Sequence, residues 1–261
     1  MQTPQLHLLP DRQATIHIVA LSGGKDSTAM AIVLKQRNPD TPYNYICTPT
    51  GNESPEMFAH WRRLGDLLGR PVQPIFAGTL ERQIALENML PSVFARWCTR
   101  KLKIAPYIAL LETLPNAISY VGLRADEPHR DGITQHGGDL TAPTAPHLRQ
   151  VFPLRELGWT LHDVLAYLES RSIKIPDRTD CRWCPYQRLA EWYLLWLNDR
   201  ESYEAAANLE RRYGHSFRSP ARDRWPAFLD DLADRFQRGE RPEISLKRLG
   251  ERTGQCRACT L

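Results

Sequence analysis

Apolar positions in the first half of the chain switch between short continuous runs and a helical spacing. The run at 16–21 (IHIVAL) predicts a buried strand, and 27–37 (STAMAIVLKQR) predicts a helix with one apolar side. A Ser-Pro pair indicates where a helix begins, and a glycine indicates where it ends. An alternation of strands and helices is typical of a parallel sheet with right-handed crossovers. Further strands are predicted at 43–51, 72–78 and 118–124, and further helices at 54–69 and 101–114.

The second half of the chain has a different pattern. The stretch 129–148 is rich in Gly, Pro, Thr and His and lacks periodicity, which predicts a loop or lid. Order resumes at 151–173, where Thr160 is expected to cap a helix. From 185 to 261 the pattern is helical and basic, with no strand. We therefore expect an α/β domain over 1–175 and a cysteine-containing helical region over 176–261.

Composition limits the class of protein. The 261 residues are 42% hydrophobic and 25% charged, which is typical of a globular protein. No run approaches the ~18 apolar residues that span a bilayer, and the first 15 residues do not resemble a signal peptide. We therefore expect a cytoplasmic protein with no membrane partner. Its net charge of +4 permits a nucleic-acid partner without requiring one.

The stretch 22–28 (SGGKDST) carries the first candidate chemistry, where strand passes to helix. Successive glycines there let backbone N–H groups form an anion site at the helix N-terminus. Lys25 adds a positive charge, and Asp26 beside phosphates makes sense if it helps to hold Mg²⁺. The pattern is not the ordinary Walker loop, since Asp26 follows the lysine. The side chains of Ser22, Ser27 and Thr28 add hydroxyl groups to this anion site. The alternative interpretation is a tight strand–helix turn that binds no ligand.

SGGKDS resembles the pyrophosphate-binding loop of the N-type ATP pyrophosphatases (PP-loop enzymes), which split ATP between its α and β phosphates. The resemblance implies a HUP-type α/β domain. Segments 48–56, 97–106, 121–130 and 181–192 resemble motifs of phosphoadenylyl-sulfate (PAPS) reductase relatives, in the same order. The nucleotide-binding residues it implies are Ser22, Gly23, Gly24, Lys25, Asp26, Ser27, Thr28 and Glu53.

The intact loop sets an expectation for function. Dedicated PAPS reductases have a degenerate loop, whereas ATP sulfurylase small subunits, tRNA thiolases and DndC-like proteins of DNA phosphorothioation use adenylation. The resemblance thus implies an ATP pyrophosphatase that adenylates an acceptor for sulfur transfer. The acceptor is expected to be nucleic acid, DNA more than tRNA, with a cysteine desulfurase as a candidate sulfur donor. The alternatives are a PAPS or APS reductase that releases sulfite, and a zinc-stabilised nucleotide- or DNA-binding subunit without catalysis.

The six cysteines form the second candidate centre, because cytosolic cysteines are more often ligands or redox groups than disulfides. Two Cys-x-x-Cys pairs could form a tetrahedral zinc site. The related assimilatory reductases instead bind a [4Fe-4S] cluster, although Trp97 occupies the first position of their Cys-Cys pair. The arrangement we expect is a cluster held by Cys98, Cys181, Cys184 and one of the two tail cysteines, with the other free for sulfur chemistry. We assign Cys256 as the ligand and Cys259 as the free thiol, and the reverse assignment is the alternative. Cys47 is expected in the core.

Arginines supply further candidate binding residues. Arg124 follows a predicted strand at the sheet edge where α/β folds bind ligands, so its planar fork could hold phosphate or sulfate. Asp126 and Glu127 fit metal binding, general-base catalysis or capping. With Lys25, Asp26 and Cys259, Arg124 completes the expected catalytic set. Arginines interleaved with aromatics suit nucleic-acid contact or ordinary packing; they are Arg211, Arg212, Arg218, Arg222 and Arg224, beside Tyr213, His215, Phe217 and Trp225.

Overall fold

A computed structural model describes residues 14–133, 143–220 and 222–243. Its centre is a five-stranded sheet in the order β3-β2-β1-β4-β5. Every neighbouring pair of strands is parallel. The strands are β1 (Ile16–Ala20), β2 (Asn44–Cys47), β3 (Val72–Pro74), β4 (Ala117–Tyr120) and β5 (Arg149–Val151). The predicted parallel α/β sheet is confirmed.

Helices flank the sheet and form the part of the chain after it. The first seven are α1 (Lys25–Arg37), α2 (Pro55–Leu68), α3 (Leu80–Glu87), α4 (Trp97–Thr99), α5 (Ala105–Glu112), α6 (Pro153–Glu156) and α7 (Leu161–Ser170). A π-helical turn, Arg100–Ile104, joins α4 to α5. The C-terminal helices are α8 (Leu189–Asn198), α9 (Arg200–Tyr213) and α10 (Leu229–Gln237). None of the helices in the described ranges is long and apolar enough to cross a membrane.

Alternation along β1 separates two apolar layers. Val19 and Leu21 pack on one face with α1, α2, α6 and α7. Ile18 packs on the other face, against α5. Both sets of side chains are almost fully removed from water. Because both faces of β1 are covered, the strand reads as a continuous apolar run.

The third apolar cluster joins the C-terminal helices to the sheet domain. Trp192, Tyr203 and Phe217 are fully buried there, against Leu80 of α3 and Trp97 of α4. The prediction of a helical C-terminal part is confirmed for the described residues between 185 and 243, which contain no strand. The domain boundary at 175 remains a prediction.

Strand β5 and helix α3 are two of the elements that the sequence analysis missed. Strand β5 follows directly on the stretch expected to be a loop, and at three residues with an exposed arginine it is too short for a periodicity to register. Helix α3 lies after β3, and its start is marked by Thr79, whose hydroxyl accepts from the Arg82 N–H at 3.1 Å. The predicted third strand, 72–78, was too long, because pairing ends at Pro74.

The predicted cap of α7 is present. The backbone N–H and the hydroxyl of Thr160 both donate to Asp163 Oδ2, at 2.8 and 2.7 Å. The two bonds to Asp163 fix the start of α7, which packs on α1. Of the predicted loop, residues 134–142 lie outside the described residues.

The start of α1 packs against the chain leaving β4. A Cβ atom on Gly122 would lie 3.0 Å from the Ser27 backbone nitrogen and 3.1 Å from the Asp26 carbonyl carbon. Both neighbours are backbone, so neither can move independently of the helix. Glycine at this position therefore sets how closely α1 approaches the sheet.

We expect Gly122→Ala to lower the free energy of unfolding by about 1–3 kcal/mol, because overpacking must displace backbone. Denaturant titration measures this change. The same variant should bind ATP more weakly, since the shift falls on the first turn of α1. Wild-type stability and ATP affinity in Gly122→Ala would contradict the close packing.

Candidate active site

The strand order reverses between β1 and β4, and a cavity of about 200 Å³ opens at their carboxyl ends. In open α/β sheets this crevice is where ligands bind. Residues from the start of α1 line the cavity, namely Ser22, Gly24, Asp26 and Ser27. Residues of the helix opposite face them, namely Thr99, Lys103 and Tyr107. The sheet thus brings the predicted loop, 22–28, and the segment 97–106 to one cavity.

The loop begins the helix earlier than expected. Helix α1 starts at Lys25, two residues before the predicted start, and its first hydrogen bond joins Thr28 N–H to Gly24 O at 2.9 Å. The N–H groups in the first turn of a helix have no intrahelical partner and carry the positive end of the helix dipole. Around them the Ser22 and Ser27 hydroxyls lie 3.1 Å apart. The arrangement suits a phosphate group.

A charged cluster lies under the loop. The Lys25 side chain is 1% exposed, and its Nζ is 3.9 Å from Asp26 Oδ2. Arg124 Nη1 donates to the same oxygen at 2.8 Å, and its Nε donates to Asp126 Oδ1 at 2.8 Å. Glu127 Oε1 lies 3.6 Å from Arg124 Nη2. The sequence segment around Arg124 is thereby joined to the predicted phosphate loop.

Two buried atoms in this cluster have no hydrogen-bond partner among the described residues: Lys25 Nζ and Asp26 Oδ1. A buried ammonium without a partner is costly, so a complementary anion is expected near it. Burial lowers the pKa of Lys25. Burial also raises the pKa of Asp26, although the neighbouring Lys25 and Arg124 act in the opposite direction. A bound polyphosphate would satisfy the lysine.

Not every predicted residue lines the cavity. Three loop residues, Gly23, Lys25 and Thr28, and the neighbouring Arg124 are not among the residues that line the cavity. The roles assigned to them remain predictions.

Glu53 also lies away from the walls of the cavity. It is buried, and its Oε1 accepts from the backbone N–H and the hydroxyl of Thr50, at 2.8 and 2.7 Å. In the described residues it therefore holds the loop after β2. Its predicted nucleotide contact is likewise untested.

Two residues of α2 hold the loop, and the sequence analysis missed both. His60 Nε2 lies 3.0 Å from Gly23 O, and Trp61 Nε1 donates to Ser22 O at 2.9 Å. Gly23 has φ +86°, and a Cβ there would lie 2.8 Å from the Trp61 ring nitrogen. The helix carrying both residues was predicted, but helical spacing does not reveal a polar contact made 37 residues away.

The described cysteines of the second candidate centre come together. Cys98, Cys181 and Cys184 line one small cavity, with Thr99 and Lys103 also in its wall. Burial, with Cys184 nearby, raises the pKa of Cys98 to about 11. The thiol therefore stays protonated unless a metal displaces the proton.

Three thiols in one pocket fit a thiolate-liganded centre in chemistry, but the present arrangement is incomplete. Within the described ranges no three His, Cys, Asp or Glu side chains are grouped closely enough to hold a metal ion. The proposed fourth ligand, Cys256, and the proposed free thiol, Cys259, lie outside the described residues. Cys47 is buried, as expected, although it also borders the loop cavity.

Contacts within the fold engage part of the arginine-rich segment. Arg218 is 1% exposed and donates to Asp223 Oδ2 at 2.7 Å and to the Pro226 carbonyl. Arg222 donates to the Gln187 carbonyl at 2.8 Å, and Phe217 is fully buried. These contacts of Arg218 and Arg222 agree with the alternative of ordinary packing, and nucleic-acid contact by the exposed arginines remains a prediction. Arg212 remains exposed.

Strand order, loop and cavity define an α/β domain of the PP-loop, HUP-type class. The family described as the phosphoadenosine phosphosulfate reductase domain matches residues 16–177, and the chain belongs to this family. This membership points to an enzyme of the PP-loop class, with sulfur-transfer or adenylation chemistry in general.

Among solved structures the chain is similar to the U34-tRNA thiolase NcsA from Methanococcus maripaludis with its [4Fe-4S] cluster. The two are 16% identical with a TM-score of 0.43, over 94% of this chain and 82% of the thiolase chain. No curated protein matches the chain.

We expect His60 to stay neutral down to about pH 4, because burial lowers its pKa to about 4. The unfolded chain takes up this proton near pH 6.5, so the stabilisation is complete above that pH and is lost as the pH falls towards 4. The loss should reach about 3 kcal/mol, since the pKa difference is about 2.5 units. Titration of the His60 ring by NMR gives the pKa, and denaturant titration gives the stability.

The control is His60→Gln, whose amide can still donate to Gly23 O but does not titrate. Its unfolding free energy should lack the wild-type decline between pH 6.5 and 4. His60→Leu leaves the carbonyl without a partner and should cost about 1–3 kcal/mol at neutral pH. A His60 pKa near 6.5 would show that the ring is not buried against the loop.

Proposed function

We propose that the chain is an ATP pyrophosphatase that adenylates an acceptor and then replaces AMP with sulfur. One observation carries the proposal: the buried Lys25 ammonium beside the first turn of α1, at the point where the strand order reverses. Among the described residues it has no hydrogen-bond partner, and its ion pair with Asp26 is long, at 3.9 Å. This is a positive site built before any ligand arrives. It suits the leaving pyrophosphate of ATP, because charge develops there as the α–β bond breaks.

The first stage follows from what the loop can stabilise. An acceptor oxygen attacks the α-phosphorus, the bond to the β-phosphate bridging oxygen breaks, and pyrophosphate leaves with the electron pair. The amides at the start of α1 and the Ser22 hydroxyl donate to the leaving group. Lys25 and Arg124 contribute positive charge from beneath the loop, and Asp26 fixes the direction of the Arg124 guanidinium.

Asp26 is also suited to Mg²⁺. One carboxylate oxygen is held by Arg124, whereas Oδ1 has no partner in the described part of the chain and Asp26 lines the cavity. Carboxylate oxygen is the ligand type that Mg²⁺ prefers. A magnesium ion bound there would screen the phosphate charges.

The second stage needs sulfur close to the adenylated acceptor. Thr99 and Lys103 stand between the two cavities and line both, so the cysteines lie directly behind the wall of the loop cavity. We propose that Cys98, Cys181, Cys184 and Cys256 hold a [4Fe-4S] cluster. Because four thiolates would occupy all four irons, the cluster would hold the site together and leave the carriage of sulfur to the remaining tail thiol. Sulfide then displaces AMP from the acceptor. Cys259 is the proposed free thiol of this step.

We propose a nucleic acid as the acceptor, with DNA phosphorothioation as the leading case and tRNA thiolation as the second. The motif order and the intact loop support this choice. Sulfur must arrive at the oxidation level of sulfide, so the donor class that we expect is a cysteine desulfurase acting with a thiol reductant.

Lys25→Met should reduce pyrophosphate release from MgATP by about 10²–10³-fold, since it removes a preorganised charge from the leaving-group site. The control is Lys35→Met on the same helix, where Nζ donates to the Pro39 carbonyl oxygen at 2.6 Å. It should keep wild-type activity. A pyrophosphate assay with and without DNA or tRNA measures both, and thermal melting checks the fold.

Full activity in Lys25→Met would show that the loop assignment is wrong. Sulfite release from PAPS or APS without ATP consumption would identify the reductase alternative. ATP binding without turnover, in a colourless protein with stoichiometric zinc, would identify the non-catalytic alternative.

Anaerobically purified protein should be brown and contain iron and sulfide. Ser at Cys98, Cys181 or Cys184 should bleach the colour and lower the melting temperature, because ligands so far apart in sequence make cluster binding part of folding. The control is Cys47→Ser, which should keep its iron, since Cys47 lies on β2 away from the three-cysteine cavity. Cys256→Ser should also bleach, whereas Cys259→Ser should keep its colour and lose sulfur transfer.

Iron and sulfide analysis together with the visible spectrum reads out each variant. Zinc bound tightly by the four cysteines of the two Cys-x-x-Cys pairs, with Cys98 dispensable, would contradict the cluster.

A further inference from the structure

A second concave surface lies outside the loop cavity, beside the edge strand β3. We name it the aromatic groove; its volume is about 770 Å³, and Phe58, Trp61, Arg62, Arg70 and Pro74 are among its lining residues. Helix α2 forms one wall, and the chain around β3 forms the other. Neither cavity described above includes these residues.

The floor of the aromatic groove is an aromatic pair. The rings of Phe58 and Trp61 meet edge to face, with centroids 5.5 Å apart and planes at 88°. Phe58 is 45% exposed, although a large apolar side chain gains by burial. An exposed, rigid aromatic surface of this kind is suited to stacking against a flat ring, and every nucleobase has such a face.

The charge around the pair is predominantly positive. Arg62 and Arg70 line the groove against a single acidic residue, Asp66. In the described part of the chain, no ion pair is made by Arg62. Arginine guanidinium groups next to aromatic rings match the phosphates and bases of one strand. A protein partner is less favoured, since nothing in the groove selects a particular side chain.

The aromatic groove is directly connected to the phosphate loop. Trp61 Nε1 donates to Ser22 O at 2.9 Å, so the ring forming the groove floor also positions the loop. Cys47 borders both the groove and the loop cavity. The groove and the phosphate loop are therefore neighbours that share Trp61 and Cys47 as boundary residues.

We propose that the aromatic groove binds a single-stranded segment of the nucleic-acid acceptor, with a base stacked on Phe58 and Trp61 and a phosphate held by Arg62. The proposal rests on the proposed function and names its acceptor surface. A closed duplex does not fit, because its bases are stacked on one another and cannot reach the rings. The arginine-rich C-terminal segment is not the primary contact, since Arg218 and Arg222 are engaged within the fold.

The test is fluorescence anisotropy with labelled dT12 and U12 strands and a 12-base-pair duplex, over a salt series and without ATP. Phe58→Ala should weaken single-strand binding about 10-fold, which is within the range for losing one stacked base. Arg62→Glu should also weaken binding and reduce the slope of log affinity against log salt by about 0.7, as expected for one lost phosphate contact.

Matched controls are Phe94→Ala, which removes a side chain 90% exposed elsewhere, and Arg212→Glu on the C-terminal segment. Both should bind like wild type. Equal affinity of Phe58→Ala and wild type, an Arg212→Glu defect as large as that of Arg62→Glu, or stronger binding of the duplex would each overturn the proposal. Melting curves of all four variants identify any loss of fold.

This assay is independent of turnover. If wild type releases pyrophosphate but its groove variants bind strands normally, only the groove assignment fails. If the groove variants lose binding while Lys25→Met keeps full pyrophosphate release, the groove stands and the proposed catalytic function fails.

Discussion

The structure depends on how closely the first turn of α1 sits against the sheet where the strand order reverses. Gly122 permits the contact, because any Cβ there would meet the backbone of Ser27 at 3.0 Å. The contact places the helix N-terminus over the crevice between β1 and β4. The backbone amides in the first turn of α1 have no intrahelical partner, which is a cost of beginning any helix. Here the same amides form a binding site for anions.

Charge at this position is balanced within a small set of residues. Arg124 forms ion pairs with both Asp26 and Asp126, and Lys25 lies beside the Asp26 carboxylate. Breaking one member of a buried set leaves the others uncompensated, so each affects both stability and ligand binding. The loop is also held from outside by His60 and Trp61. Anything that contacts α2 is therefore coupled to the geometry of the phosphate site.

The sequence was sufficient for four of the five strands, the loop and the Cys181–Cys184 pair, because each has a local signature. Continuous apolar runs identified β1 and β2, the glycine pair identified the strand–helix turn, and Cys-x-x-Cys identified a ligand pair. Residues whose role depends on distant contacts were not predictable. His60 looks like an ordinary position on an amphipathic helix, and Arg218 looks like a free cation until its contacts with Asp223 and Pro226 are known.

The central claim is that the chain breaks ATP between its α and β phosphates and does so at the loop at the start of α1. Single-turnover incubation of anaerobic protein with α-³²P-labelled ATP, Mg²⁺ and single-stranded nucleic acid tests it most directly, with the labelled products separated by chromatography. The account predicts labelled AMP or labelled adenylated acceptor, together with stoichiometric pyrophosphate. Labelled ADP with inorganic phosphate, or labelled ATP that stays intact, would contradict it.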